Sequence, residues 1–258
     1  MQIFVPTMTD ENEHLNRLET YFGAIRAGPV AIPKGQKFIF LCYTNRCGSD
    51  YVAQSIASDG RLNIAGEFFN HDTVLDHAQR LKHKNIQTYF NWLVGHVRRG
   101  RRMVCKVAVS HLEVLGRAGI LQQIMDRSHF ILVERNDKLG QAISYDIALQ
   151  TGKWNSRVKP RQQHVELAFS ADRLTTVMRS FAQQYTEFDR FFDRNGVFAT
   201  NIVYEHFLAD VQPHLEVIGR QLDLPGLQIV PENIWIQKQA GPTNIAWRER
   251  YLAETADD

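Results

Sequence analysis

Short apolar runs separated by longer amphipathic stretches set the pattern of this chain. Residues 38–43 (FIFLCY), 103–109 (MVCKVAV), 129–133 (HFILV) and 197–204 (VFATNIVY) have the length and composition of buried strands. Residues 62–65 form a shorter candidate, followed by GEFFN. Helical spacing fills the intervals. Leu15, Leu18, Phe22 and Ile25 recur within 10–26, and Val52, Ala53, Ile56 and Ala57 follow the first run. Similar spacing runs through 72–99, 112–125, 136–150 with Asp137 as cap, 174–194 closed by Gly196, and 213–222. Beyond Pro231 no period is evident. Strands alternating with helices pair in parallel through crossover helices. The pattern therefore predicts an α/β fold, doubly wound, with a mostly parallel sheet of about five strands and helices on both faces. Gly28, Pro29, Pro33 and Gly35 interrupt the chain before the first strand. Residues 1–36 accordingly read as an N-terminal extension packed on one domain, 37–258.

Composition narrows the class. An apolar content of 44% over 258 residues is ample for one sizeable core. A formal charge of +2 gives no pull toward nucleic acid, and the Arg98, Arg99, Arg101 and Arg102 cluster reads as a solvated turn. The N-terminus has no basic and apolar signal segment, and no apolar run approaches the length of a transmembrane span. Three cysteines, Cys42, Cys47 and Cys105, are too few for a disulfide framework, so a reduced, cytoplasmic protein is expected. His71, His77 and His83 are evenly spaced but supply no metal-ligand pattern, and no metal is expected.

The first strand candidate runs into Asn45-Arg46-Cys47-Gly48 and then a helix opening at Ser49-Asp50. Strand, glycine turn and helix start form an anion site, because amide N–H groups and the helix dipole point at the ligand. A nucleotide triphosphatase would need Lys-Ser/Thr after the glycine, and no GK[ST] occurs in the chain. A dinucleotide fingerprint fails as well, since the turn has one glycine. Ligands of such folds collect at the carboxyl ends of strands, here just after Tyr43, Ala65, Val109, Val133 and Tyr204. Arg135 sits at one of these ends and Ser144 two turns into the next helix. The two can grip one phosphate, the guanidinium as a fork and the hydroxyl as a small donor.

The segments CYTNRCGSDYVAQSI, AGEFF, CKVAVSHLEVL, ERNDKLGQAISYDIALQTGKW, IVYEHFLAD and IQKQAGPTNIAWRERYLAE occur in this order. Together they resemble the bacterial trehalose 2-sulfotransferase-like family, sulfotransferases that use 3′-phosphoadenosine 5′-phosphosulfate (PAPS). The resemblance runs from Phe38 to the C-terminus and is most specific over 135–154. It implies a P-loop-NTPase-like fold without a nucleotide triphosphate. Arg46, Cys47, Gly48, Ser49 and Asp50 then form the loop that holds the 5′-phosphosulfate, and Arg135 and Ser144 hold the 3′-phosphate. Lys238 and Gln239 fall in a segment closing over the cofactor. Glu67 matches the family's general base, and Arg46 is expected to stabilise the leaving oxygen.

The resemblance implies a carbohydrate or glycolipid acceptor, adenosine 3′,5′-bisphosphate as product, and a homodimer. Apolar neighbours Phe68 and Phe69 are expected to raise the Glu67 pKa. His111 is a rival base, and Lys106 is expected to reach the sulfuryl group. Trp154 and Trp247 are candidates for the acceptor pocket or for the core, and residues 155–173 for a lid. The loop reads NRCGSD where the family has PRSGST: Cys47 removes a hydroxyl donor, and Asp50 sets a carboxylate where a hydroxyl normally faces phosphate. These departures motivate the alternative, a nucleotide-binding or scaffold protein of this family with weakened or lost transferase activity.

Overall fold

The computed structural model describes residues 3–6, 12–155, 166–237 and 241–256. Their sheet has four parallel strands, β1 (Lys37–Tyr43), β2 (Arg102–Val107), β3 (Ser128–Glu134) and β4 (Ala199–Val203), in the order β2-β1-β3-β4. The expected strand at 62–65 does not form; the residue after it, Gly66, makes a single parallel bridge to Cys105 at the outer side of β2. Helices α1 (Glu13–Phe22), α2 (Ser49–Ala57), α3 (His71–Leu81), α4 (Ile86–Val97), α5 (Val109–Arg117) and α6 (Ile120–Ile124) precede β3. Helices α7 (Lys138–Thr151), α8 (Ala171–Asn195), α9 (Tyr204–Ala209), α10 (Val211–Gln221) and α11 (Pro242–Glu254) follow it. Two single helices expected from periodicity are broken in two. Lys82, in the left-handed region at φ 56°, ends α3, and Gly119, at φ 71°, separates α5 from α6. Asn85 then restarts the chain as α4 through a capping box with Thr88.

Strand side chains alternate between two buried layers. Phe38, Phe40, Cys42, Met103, Cys105, Phe130 and Leu132 face α1, α3–α6 and α8. Ile39, Leu41, Val104, Ile131, Val133 and Ile202 face α2, α9 and α10. Burial on both faces explains why the strand runs are continuously apolar rather than alternating. A third cluster, Ala142, Ile143, Leu174 and Trp247, joins α7, α8 and α11, so Trp247 is a core residue. The chain leaves β1 for β2 on one side and reaches β3 on the other, which makes the carboxyl ends of β1 and β3 the topological switch point. Among the described residues no helix is long and apolar enough to cross a membrane.

Candidate active site at the β1–β3 switch point

β1 delivers the chain into a turn where Arg46 takes φ 62° and Gly48 φ 95°. A left-handed arginine is strained, and such strain concentrates at functional sites. Gly48 is the N-cap of α2 and has no side chain to cap it; the Tyr51 amide donates to Gly48 O at 3.0 Å and the Ser49 amide is directed at Cys47. A Cβ at Gly48 would lie 2.1 Å from the Tyr204 ring, so glycine lets β4's exit close against the turn. Cys47 is fully buried, its amide donating to Thr44 O at 3.3 Å, and burial raises its thiol pKa. The turn is braced from α7 by buried Gln141, whose Nε2 donates to Thr44 Oγ1 and Asn45 O, each at 2.8 Å.

Two arginines converge here. Arg46 Nε donates to Ser144 Oγ at 2.9 Å, and its guanidinium also reaches the Trp154 carbonyl. Burial, with Arg135 close by, brings the Arg46 pKa down from its ordinary value, though Asp50 opposes the shift. Arg135 follows β3 and donates to Arg46 O at 3.2 Å, while Nη2 meets Asp137 at 3.4 Å. Its Nε is buried without a hydrogen-bond partner, 3.8 Å from Glu205. Asp137 caps α7 at Gly140 N, 2.9 Å away, and pairs with Arg248 of α11. Arg46, Arg135 and Ser144 thus form one cluster, where the sequence reading divides them between two ends of a ligand.

On the other flank, Lys106 of β2 is buried between two carboxylates, 2.6 Å from Asp50 and 2.9 Å from Glu67. Its ammonium also lies 4.4 Å from the Tyr43 ring centre. Burial alone would lower the Lys106 pKa, but Glu67 and Asp50 raise it well above the ordinary value. The expected upward shift of Glu67 is reversed. Burial does push it up, but the Lys106 charge and hydrogen bonds from Lys106 and Tyr43 outweigh it and hold the carboxyl below its ordinary value. Asp50 turns toward Lys106.

His111, the rival base, is buried, and its Nδ1 accepts the Ala108 amide at 3.1 Å. The neutral ring therefore carries its proton on Nε2, and burial moves its pKa well down, so it is poorly suited to accept another. Lys238, Gln239 and residues 156–165 of the expected lid lie outside the described residues.

Sequence reasoning missed Tyr43, Gln141, Tyr204 and Glu205, whose carboxylate receives the Asn136 and Asp137 amides at 2.9 and 3.1 Å. Gln141 lay inside the most specific motif and was legible there. The others reach it through side-chain contacts that only the fold creates: Tyr43 at Glu67, the Tyr204 ring at Gly48, and Glu205 at the start of α7.

Comparison with known proteins follows this geometry. The Stf0 sulphotransferase family model matches residues 106–254, more than half of the chain. The trehalose 2-sulfotransferase of Mycobacterium tuberculosis is 27% identical over 142 residues, 54% of this chain and 51% of that protein. The chain thus spans about half the length of the curated relative it matches. A crystal structure of a sulfotransferase from Alicyclobacillus acidocaldarius superposes with a TM-score of 0.52 at 18% identity, over 88% of this chain and 92% of that one. A mouse sulfotransferase solved with PAP gives a TM-score of 0.46 at 14% identity, over 100% of this chain and 76% of that one. The glycine turn and Glu67 precede the matched stretch, whereas Lys106, Arg135, Ser144 and α11 lie within it. By that match, the chain belongs to the Stf0 sulphotransferase family.

Proposed function

We propose that the protein transfers a sulfuryl group from PAPS to a hydroxyl of a carbohydrate or glycolipid. The observation that carries this reading is the convergence of Arg46, Arg135 and Ser144 at the glycine turn that leads into α2. The start of α2 and a buried, unpartnered Arg135 Nε suit phosphate oxygens. The residues present therefore fit an anionic ligand such as PAPS. In the proposal the Gly48, Ser49 and Asp50 backbone holds the 5′ end, with Cys47 serving as packing beneath it. Arg135 and Ser144 hold the 3′-phosphate, and Lys238 and Gln239 close over the cofactor.

PAPS, when bound, supplies the activated sulfuryl group. Glu67 takes the proton of the acceptor hydroxyl at its carboxylate. Lys106 keeps that carboxylate ionised at neutral pH and holds Asp50 away from the phosphates. Arg46 gives up its bond to the Trp154 carbonyl and stabilises charge on the leaving oxygen.

Calorimetry with adenosine 3′,5′-bisphosphate, paired with labelled sulfate transfer to a glycan panel, tests the assignment. Arg135→Ala weakens binding by about 1.5–3 kcal/mol, the range for hydrogen bonds to charged groups. Glu67→Gln leaves binding intact and abolishes transfer. A wild type without affinity for the bisphosphate refutes the cofactor assignment. Affinity without transfer to any glycan favours a nucleotide-binding protein without transferase activity.

A further inference from the structure

Arg135 stands between two carboxylates, yet each is already claimed by other donors. Its Nη2 reaches Asp137 Oδ2 only at 3.4 Å, and its Nε, buried without a hydrogen-bond partner, lies 3.8 Å from Glu205 Oε1. Glu205 accepts the Asn136 and Asp137 amides at 2.9 and 3.1 Å. Asp137 Oδ1 accepts the Gly140 amide at 2.9 Å, as N-cap of α7, and Nη2 of Arg248 at 2.5 Å. Arg248 belongs to α11, 111 residues further along the chain, and its contact with Asp137 is far closer than the one Arg135 makes.

The packing around α7 leaves room for this arrangement. A Cβ at Gly140, in the first turn of α7, would lie 2.0 Å from Asp137 Oδ2 and 2.8 Å from Arg248 Nη2, so glycine lets both side chains lie over the helix start. Trp247, next to Arg248 in the chain, is buried in the cluster joining α7, α8 and α11, which anchors the helix that carries the guanidinium. Burial would raise the Asp137 pKa, but the Arg248 hydrogen bond, the Gly140 amide and the charges of both arginines bring it below its ordinary value. The carboxyl is therefore ionised at neutral pH. Left unneutralised, it would compete for the Arg135 guanidinium and repel any anion arriving there. Arg248 offsets that charge at Oδ1, the oxygen that Arg135 does not bond.

We propose that Arg248 is a positioning residue for anion binding: by neutralising Asp137 it leaves the Arg135 guanidinium open to the 3′-phosphate of the cofactor. The proposal rests on the PAPS reading and deepens it, tying recognition of that phosphate to the docking of α11 on α7.

Four proteins, wild type, Arg248→Ala, Asp137→Asn and the double variant, are titrated by calorimetry with adenosine 3′,5′-bisphosphate and with adenosine 5′-monophosphate, which lacks the 3′-phosphate. Asparagine still caps α7, so Asp137→Asn removes the charge alone. Wild type prefers the bisphosphate. Arg248→Ala binds it about fivefold more weakly, the lower end for coupled sites because both partners are partly exposed, and binds the monophosphate as wild type does. Asp137→Asn binds the bisphosphate at least as tightly as wild type, and the double variant regains the wild-type preference, since no unpaired carboxylate remains. Equal loss of both nucleotides in Arg248→Ala, or a loss of bisphosphate that Asp137→Asn does not restore, overturns the proposal, because Arg248 then only holds α11 in place. A weaker Asp137→Asn overturns it too. Equal bisphosphate affinity in all four proteins overturns it and leaves the cofactor reading intact. A wild type that binds the two nucleotides equally overturns it together with the 3′-phosphate site, and one that binds neither takes the whole cofactor assignment with it.

Discussion

Lys106→Met tests the electrostatic account of the site most directly. The substitution keeps the length and apolar stem of the side chain but removes the ammonium from between Asp50 and Glu67, 2.6 and 2.9 Å away. Removing one member of a buried pair costs about 3–5 kcal/mol, because the remaining charge is left uncompensated. Here the lysine is buried, but the Glu67 and Asp50 side chains are 36% and 42% exposed, so water screens part of the loss. A loss of about 2–3 kcal/mol at pH 7.5 follows from that discount.

The pH dependence has a definite sign. In the wild type the folded Glu67 carboxyl lies below its ordinary value of 4.5, so its contribution is present above the unfolded pKa and disappears as pH falls through the folded one. In Lys106→Met burial dominates and lifts the folded carboxyl above the unfolded value, so the ionised group costs stability at neutral pH. That cost fades as pH falls toward the unfolded pKa. Urea unfolding of both proteins at pH 7.5 and at about pH 5 measures the difference through the midpoint at constant m. A gap that narrows with acid supports the account. A gap below about 0.5 kcal/mol at pH 7.5, the size of an ordinary surface change, refutes it; so does a gap that widens with acid.

Two further outcomes are expected. Arg173 clamps the buried Asp146 carboxylate at 2.7 and 2.9 Å and ties α7 to α8, so Arg173→Ala costs about 3 kcal/mol in urea unfolding; Asp146→Asn with Arg173→Ala recovers part of that loss, since no buried charge is then stranded. Gly48→Ala places a methyl group 2.1 Å from the Tyr204 ring at φ 95°, so it lowers the thermal midpoint and the bisphosphate affinity; adding Tyr204→Ala relieves the contact and leaves only the backbone strain, about 1–2 kcal/mol.

The amino-acid sequence by itself determined the class of fold, because the signals involved are local. Continuous apolar runs at β1, β2 and β3 mark strands buried on both faces, and helical spacing marks the crossovers. Asp137 and Gly196 announced the start of α7 and the end of α8 in the same way, through caps that depend on one residue. Residues 62–65 read as a strand but do not pair along β2, where only the following Gly66 makes a bridge. α11 was missed because its apolar face is sparse; Trp247 is buried by packing against residues of α7 and α8 and against the Phe169 ring.

For the candidate site, motif order pointed to Arg46, Glu67, Lys106, Arg135 and Ser144. It was silent on which of them meet. Tertiary structure decided that Lys106 bridges Asp50 and Glu67, and so that Glu67 moves below rather than above its ordinary pKa. It decided as well that Arg46 turns to Ser144, that Tyr204 closes on Gly48, and that Arg248 of α11 pairs with Asp137. The physical reason is common to all of these. A charge, a ring contact or a desolvated donor depends on atoms brought close by strand register and helix docking, across tens of residues of sequence that no local pattern spans.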